Sequence, residues 1–121
     1  MSKTILTVDD SRTMRQMLEL ALSDAGFIVV QAEDGVDGLE ALERTKPDAI
    51  VTDINMPRLD GFGFIEGVRK HETCRVVPIL VLTTESDNEK KERARRAGAT
   101  GWIVKPFDPA KLVNAIRRVT A

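Results

Sequence analysis

The stretch Ala49–Pro57 reads AIVTDINMP, a short apolar and β-branched run followed by Asp53 and a turn-forming tail. Apolar and polar side chains do not alternate within Ala49–Thr52. A continuous apolar run is typical of a strand covered on both faces in a parallel sheet. Four similar runs predict further strands, at Thr4–Val8, Phe27–Ala32, Ile79–Thr83 and Trp102–Val104. The first expectation is therefore a buried parallel sheet of five strands.

Five segments with apolar residues at helical spacing lie between and after these strands. We expect the first helix to begin near Ser11 and to have Gly26 at its C-cap. Ser86 and Glu89 match a capping box for the fourth helix. The fifth helix begins with an N-cap and a proline in its first turn, at Asp108 and Pro109. The apolar positions that mark the helices are Met14, Met17, Leu18, Ala21, Leu22, Ala25, Val36, Leu39, Leu42, Phe62, Ile65, Val68, Ala94, Ala97, Leu112, Val113 and Ile116.

The alternation of strands and helices predicts an α/β fold with a doubly wound parallel sheet. A closed eightfold barrel needs about 250 residues, so a chain of 121 residues excludes it. We expect a single domain over residues 1–121. In an open sheet of this kind the functional site forms at the carboxyl ends of the strands.

The composition is that of an ordinary globular protein, with 42% hydrophobic and 31% charged residues. It excludes disordered chains, collagen-like fibres and disulfide-rich miniproteins. The lone Cys74 cannot form an internal disulfide, and together with His71 it gives little support to a zinc site. No signal peptide or membrane span is visible and the net charge is -1. We therefore expect a cytoplasmic protein without nucleic-acid or membrane partners.

Charged and hydroxyl side chains stand at the carboxyl ends of the predicted strands, namely Asp9, Asp10, Asp53, Thr83 and Lys105. These side chains converge if the middle strands are neighbours. Two unit charges about 4 Å apart repel by roughly 4 kcal/mol at an effective dielectric of about 20, so three carboxylates need a cation. Because the donors are hard oxygens, the expected cation is Mg²⁺.

The same residues suit the transfer of a phosphoryl group. A carboxylate can accept phosphorus to form an aspartyl-phosphate, and Asp53 stands alone at the end of a central strand. Asp9 and Asp10 would then hold the metal, with the backbone carbonyl of Asn55 as a further ligand. A lysine and a threonine nearby would hold phosphoryl oxygens, since this chemistry depends mainly on positioning and charge.

Each of these residues also has a simple structural explanation. An aspartate pair after a strand is often a helix N-cap, and we expect Asp10 or Ser11 to cap the first helix. A single aspartate after a strand is commonly a turn residue. Thr83 suits a strand and a lone Lys105 suits the surface. The convergence of these residues, rather than any one of them, predicts a site.

Five spaced motifs in order resemble the receiver domains of response regulators, most closely the single-domain chemotaxis regulators. The resemblance covers the whole chain and rests on Ile5–Ser11, Ile50–Pro57, Asp60-Gly61, Ile79–Thr83 and Val104–Phe107. It implies a flavodoxin-like (βα)5 sandwich with strand order 2-1-3-4-5. It also implies that the chain is a phosphoacceptor switch and not an enzyme with an external substrate.

The resemblance implies a role for each residue at the predicted site. Asp53 would be phosphorylated by a sensor histidine kinase, with Asp9 and Asp10 as carboxylates for Mg²⁺. Lys105 would bind the phosphoryl group and Thr83 would report it. A cis peptide bond is implied before Pro106.

Four further residues are implied to tune or transmit the signal. Asn55 and Glu85 resemble those of chemotaxis regulators that lose phosphate quickly, whereas Thr84 is larger than the usual Ala or Gly and would narrow access for water. Trp102 occupies the position of the switch aromatic, usually Tyr or Phe. The alternative for Trp102 is a half-buried indole with no signalling role.

The expected output surface comprises the fourth helix, the fifth strand and the fifth helix. Residues 88–98 read NEKKERARRAG, and this positive excess suits an acidic amphipathic peptide. The resemblance implies the flagellar motor switch protein as partner, with a phosphatase as a further candidate. A solvated helix is the simpler alternative. Since the chain stops at Ala121, we expect it to signal by binding. We also expect a monomer.

Three other functions compete with this phosphorylation-switched binding module. A phosphoryl shuttle or sink would use the same site residues and differ only in its partner surface. A Mg²⁺-dependent phosphohydrolase would need a cap insertion and an aspartate two residues beyond Asp53, where Asn55 stands. A flavodoxin-like cofactor binder is disfavoured because the loop after the first strand is acidic.

Overall fold

The computed structural model describes residues 2–121. Five parallel strands form one sheet in the order β2-β1-β3-β4-β5, as the resemblance implies. The elements along the chain are β1 (Thr4–Val8), α1 (Arg12–Asp24), β2 (Ile28–Ala32), α2 (Gly35–Ala41), β3 (Ala49–Thr52), α3 (Gly61–Arg69), β4 (Ile79–Thr83), α4 (Asn88–Ala97), β5 (Gly101–Val104) and α5 (Pro109–Val119).

Two apolar layers hold the helices against the sheet. Strands β3 and β4 are buried throughout, which explains their continuous apolar runs. One layer joins the sheet to α2, α3 and α4 and includes Leu6, Ile50 and Phe64, all fully buried. The other joins it to α1 and α5 through residues such as Leu22 and Ile116. Fully burying one such side chain stabilises the fold by about 1.5–3 kcal/mol, so the sheet is a rigid support for its loops.

The carboxyl ends of the central strands lie side by side. Val8 at the end of β1 is in register with Thr52 at the end of β3. The backbone N–H of Asp53 donates to the carbonyl of Val8 at 2.9 Å, and the N–H of Asp9 donates to that of Ala32 at 3.1 Å. The loops that follow these strands therefore start from one edge of the sheet.

Two strand boundaries differ from the prediction. Strand β2 begins at Ile28 because the backbone N–H of Phe27 is still part of the C-terminal cap that follows α1. The N–H of Phe27 donates to the carbonyl of Leu22 at 3.0 Å, and Gly26 takes a positive φ of 93°, which is the Schellman ending of a helix. Strand β5 begins at Gly101, one residue early, since Gly101 pairs with Leu80 despite its low strand propensity.

Two helix predictions also need correction. The N-cap of α4 is Asp87, not Ser86, because the Asp87 carboxylate accepts the N–H of Glu89 at 2.9 Å. Met17 in α1 does not belong to the core: it is 47% exposed, one residue away from the buried Leu18. Ser11 caps α1, as one of the two alternatives predicted. No helix within residues 2–121 is long and apolar enough to cross a lipid bilayer.

Candidate functional site

Three carboxylates meet at the edge of the sheet, as the sequence predicts. Asp9 follows β1 with Asp10 next to it, and Asp53 follows β3. One ligand atom from each of the three lies within 4.8 Å of the others. We call Asp9, Asp10 and Asp53 the acidic cluster. Asp9 and Asp53 are buried, whereas Asp10 is exposed, so the cluster is open to solvent on one side.

Lys105 bridges the two buried carboxylates of the cluster. Its Nζ donates to Oδ2 of Asp9 and to Oδ2 of Asp53, both at 2.9 Å. The lysine side chain is only 11% exposed. Burial opposes its charge, but hydrogen bonds and attraction from Asp53 and Asp9 outweigh burial and raise the pKa of Lys105. The ammonium is therefore held in its charged form at the centre of the site.

The single positive charge of Lys105 does not balance the negative charges of the acidic cluster. Three ionised carboxylates and one ammonium leave two formal negative charges. Burial raises the pKa of Asp9, despite hydrogen bonds from Lys105 and from the N–H of Ser11. Oxygen donors with an excess of two negative charges fit a hard divalent cation such as Mg²⁺.

The local backbone directs the carboxylate of Asp53. Its Oδ1 accepts the N–H of Ile54 at 2.6 Å, while Oδ2 accepts Lys105. Similarly, Oδ1 of Asp9 accepts the N–H of Ser11 at 2.9 Å. Both side chains therefore have one oxygen tied to the backbone and the other to the lysine, which limits their freedom to rotate.

The loop after β4 lies next to the cluster and carries a second set of predicted residues. Thr83 is fully buried, and its hydroxyl oxygen accepts the N–H of Glu85 at 3.3 Å. Thr84 is exposed. The hydroxyl of Thr83 therefore contacts the loop that leads to α4, and its contact with a phosphoryl group remains a prediction.

Glu85 connects the edge of the cluster with Trp102. Its carboxylate accepts the side-chain amide of Asn55 at 3.3 Å and Nζ of Lys90 at 3.0 Å. The Lys90 and Asn55 hydrogen bonds lower the pKa of Glu85. The indole N–H of Trp102 donates to the backbone carbonyl of Glu85 at 3.1 Å, and the ring packs on the core. The structure therefore brings Asn55, Glu85 and Trp102 into one network.

Some of these contacts lie beyond sequence reasoning. Lys90 stands five residues from Glu85, outside the helical spacings that would indicate an ion pair. Arg58 pairs with Asp34 across 24 residues, and no local pattern indicates that contact. The peptide bond between Lys105 and Pro106 is cis, which agrees with the implied one.

The family model for the response regulator receiver domain matches residues 5–117 of this sequence. This chain belongs to the response regulator receiver family. The crystal structure of the Vibrio cholerae chemotaxis protein CheY4 is similar over 98% of this chain and 99% of that one, with a TM-score of 0.94 and 43% identity. The receiver fold and its strand order are thereby confirmed.

Two further similarities indicate how varied related receiver domains are. The probable transcriptional regulator ycf27 of Porphyridium aerugineum is 40% identical over 95% of this chain. This chain spans only 47% of that relative, or about half of its length. The receiver domain of the sensor histidine kinase PA1611 from Pseudomonas aeruginosa is 31% identical, with a TM-score of 0.91, and covers 99% of this chain and 98% of that one. That structure holds a magnesium ion coordinated in its active site cleft.

Proposed function

We propose that this receiver domain is a switch that is phosphorylated on Asp53 by a sensor histidine kinase. The observation that carries the proposal is the Lys105 bridge between Asp9 and Asp53 within a cluster of three carboxylates. An acceptor carboxylate beside a buried ammonium and a set of metal-binding oxygens is the arrangement that phosphoryl transfer requires.

Each residue of the site has one part in the proposed transfer. An oxygen of Asp53 forms a bond to phosphorus while the bond to the histidine nitrogen of the kinase breaks. Asp9, Asp10 and the Asn55 backbone carbonyl would hold Mg²⁺ together with Asp53. When bound, the metal supplies positive charge to the phosphoryl oxygens. Lys105 would contact those oxygens, since its ammonium already lies 2.9 Å from Asp53.

The signal would pass from Asp53 to Trp102 through the loop after β4. A phosphoryl group offers new acceptor oxygens to the Thr83 hydroxyl, which now contacts the N–H of Glu85. Movement of that hydroxyl would shift Glu85, whose carbonyl holds the indole of Trp102. Asn55 and Glu85 would also set the lifetime of the phosphorylated state, with Thr84 limiting access for water.

The output surface would be the groove beside Trp102, between α4 and β5. Its volume is about 390 Å³, and Ala94, Ala99 and Trp102 supply apolar walls. Lys91 and Arg95 supply two positive charges, and Glu92, the ion-pair partner of Arg95, supplies one negative charge. Such a groove suits an acidic amphipathic peptide. Similarity to a chemotaxis protein over nearly its whole length favours the flagellar motor switch protein as the partner.

A phosphoryl shuttle or sink is the second candidate. The similarity to the receiver domain of a sensor histidine kinase favours it, because the same fold serves within a kinase there. In either case we propose that the chain acts as a monomer in the cytoplasm and turns over only its own phosphoryl group.

Fluorescence of Trp102 tests the proposed switch, since it is the single tryptophan of the chain. We expect the emission to change when Mg²⁺ is added and again when beryllofluoride, a phosphoryl mimic, follows. Asp53→Asn should abolish the second change. An unchanged response in Asp53→Asn would contradict the assignment of the acceptor.

A binding assay separates the two candidates. Beryllofluoride should strengthen the binding of an amphipathic acidic peptide from a motor switch protein, and Lys91→Glu with Arg95→Glu should reverse that gain. Rapid loss of phosphate from a kinase in the presence of this chain, with no mimic-dependent peptide binding, would favour the shuttle or sink.

A further inference from the structure

Arg58 makes a two-point ion pair with a carboxylate outside the acidic cluster. Its Nε donates to Oδ2 of Asp34 at 2.7 Å, and its Nη2 donates to Oδ1 at 3.0 Å. The Asp34 side chain is 5% exposed and follows β2, the strand next to β1. Arg58 lies in the loop between Asp53 and α3. The pair therefore connects the loop after the acceptor with a neighbouring part of the same sheet edge.

Asp34 is itself held in place by a helix. Its Oδ1 accepts the N–H of Asp37 at 2.8 Å and caps α2. A second contact runs parallel to the ion pair, because the N–H of Gly35 donates to the carbonyl of Leu59 at 3.1 Å. A Cβ at Gly35 would lie 2.5 Å from that carbonyl oxygen, so the loop and α2 approach as closely as a glycine allows.

The backbone at Arg58 is unusual for an arginine. Its φ is 65°, and it is the one non-glycine residue with positive φ within residues 2–121. The N–H of Leu59 donates to the carbonyl of Pro57 at 2.7 Å, which closes a tight turn around Arg58. Glycine or asparagine adopts this conformation more readily. The two hydrogen bonds to Asp34 need a guanidinium and give a reason for an arginine at this position.

We propose that Arg58 and Asp34 are positioning residues for Mg²⁺ binding, because their ion pair holds residues 55–60 in the path that presents the Asn55 backbone carbonyl to the acidic cluster. This inference rests on the proposed function. The ends of the loop are already fixed, since the N–H of Gly61 donates to the carbonyl of Ile54 at 2.8 Å. The ion pair and the Gly35 contact hold Arg58 and Leu59 in the middle of the loop, three and four residues after Asn55.

Two variants remove the pair while keeping the local backbone. Arg58→Asn retains a residue that accepts positive φ, and Asp34→Asn retains a good N-cap for α2. We expect each to raise the Mg²⁺ dissociation constant on the order of tenfold, as loss of an outer positioning contact does in metal sites. The double variant should be no weaker than the weaker single variant, because both remove the same contact.

Controls separate positioning from a general loss of stability. Ile116→Val removes a methylene from the core on the α5 side, and Glu43→Gln changes an exposed carboxylate that contacts His71 at 3.1 Å. Both should bind Mg²⁺ like the wild type. The readouts are the Trp102 titration, a calorimetric Mg²⁺ titration and a thermal melt of each metal-free variant.

The outcomes distinguish this inference from the proposed function. Wild-type chain that binds no Mg²⁺ would overturn both. Wild-type binding that is lost in Asp10→Ala but unchanged in Arg58→Asn and Asp34→Asn would overturn the positioning role alone. Equal weakening in Ile116→Val would also overturn it, since stability rather than loop position would then be responsible. If Arg58→Asn does not fold, Arg58→Gly, which also accepts positive φ, and Asp34→Asn provide the same test.

Discussion

Asp9 and Asp34 are two buried carboxylates at the same edge of the sheet, and the protein treats them in opposite ways. Each follows a strand, and the two strands are neighbours. Asp34 has a two-point partner in Arg58, and this contact lowers its pKa. Asp9 shares Lys105 with Asp53, and burial raises its pKa. Arg58 neutralises Asp34 within the chain. Asp9 has only a shared ammonium, so it retains negative charge that a cation can balance.

This contrast relates burial of charge to function. A fully paired carboxylate stabilises a fixed local structure, as Asp34 does for α2 and the loop after β3. A carboxylate that shares one ammonium with another acid retains affinity for a cation. Substitutions and changes of pH should therefore affect the acidic cluster and the Asp34 pair differently.

Loss of the acceptor should have the largest effect. Asp53→Asn removes the nucleophilic carboxylate, and we expect phosphorylation by acetyl phosphate to fall to background. Asp24→Asn, at the end of α1, should still be labelled at full stoichiometry, because Asp24 lies outside the acidic cluster. Mass spectrometry of the intact chain gives the stoichiometry. Labelling of Asp53→Asn at the wild-type level would remove the distinction between the two regions.

Loss of a metal-binding carboxylate should have the next largest effect. Asp9→Ala or Asp10→Ala each removes a hard oxygen donor, and we expect the Mg²⁺ dissociation constant to rise by about tenfold or more. Asp24→Ala, at the end of α1, is the matched control and should not change it. The measurement is a calorimetric titration. Unaltered Mg²⁺ binding in both cluster variants would contradict the assigned ligands.

Removal of the bridging lysine should separate metal binding from switching. Lys105→Ala eliminates the ammonium that contacts Asp9 and Asp53, which leaves more negative charge for a cation. We expect Mg²⁺ to bind no more weakly than in the wild type, because every oxygen donor of the cluster remains, while the Trp102 response to beryllofluoride is lost. A large loss of Mg²⁺ affinity in this variant would show that the lysine supports the metal site rather than the switch.

The pH dependence of stability should show the smallest effect and the sharpest contrast. Since the pKa of Asp34 is lowered, its stabilising contribution is complete above its ordinary value of about 3.9 and is lost as the pH falls through the lower folded value. The pKa of Asp9 is raised, so ionisation of Asp9 reduces stability as the pH rises through its folded value.

Thermal unfolding between pH 2.5 and 7 in Mg²⁺-free buffer measures this difference. Asp34→Asn should be less stable than the wild type at pH 7, by a few degrees in melting temperature, and equal to it at the acid end. Asp9→Asn should gain stability relative to the wild type as the pH rises. The same pH trend in both variants would contradict the contrast between the two carboxylates.

Sequence reasoning reached the acidic cluster because its members follow strands that are easy to recognise. The runs before Asp9 and Asp53 are apolar and continuous, and the sheet edge is a consequence of parallel topology. It failed at Phe27 and Ser86, where the result depends on hydrogen bonds at helix ends. Ser86 and Asp87 can both serve as an N-cap, and residue type alone does not show which of them accepts a hydrogen bond from the first turn of α4.

The sequence by itself determined the succession of strands and helices along the chain and the residue types at the strand ends. Periodicity and helix caps are local properties of the chain. Only the tertiary structure decided which cation meets which carboxylate. Lys105 reaches Asp9 across 96 residues, and Arg58 reaches Asp34 across 24. Such contacts depend on the sheet order and the path of the loops, and hence on the packing of the whole domain.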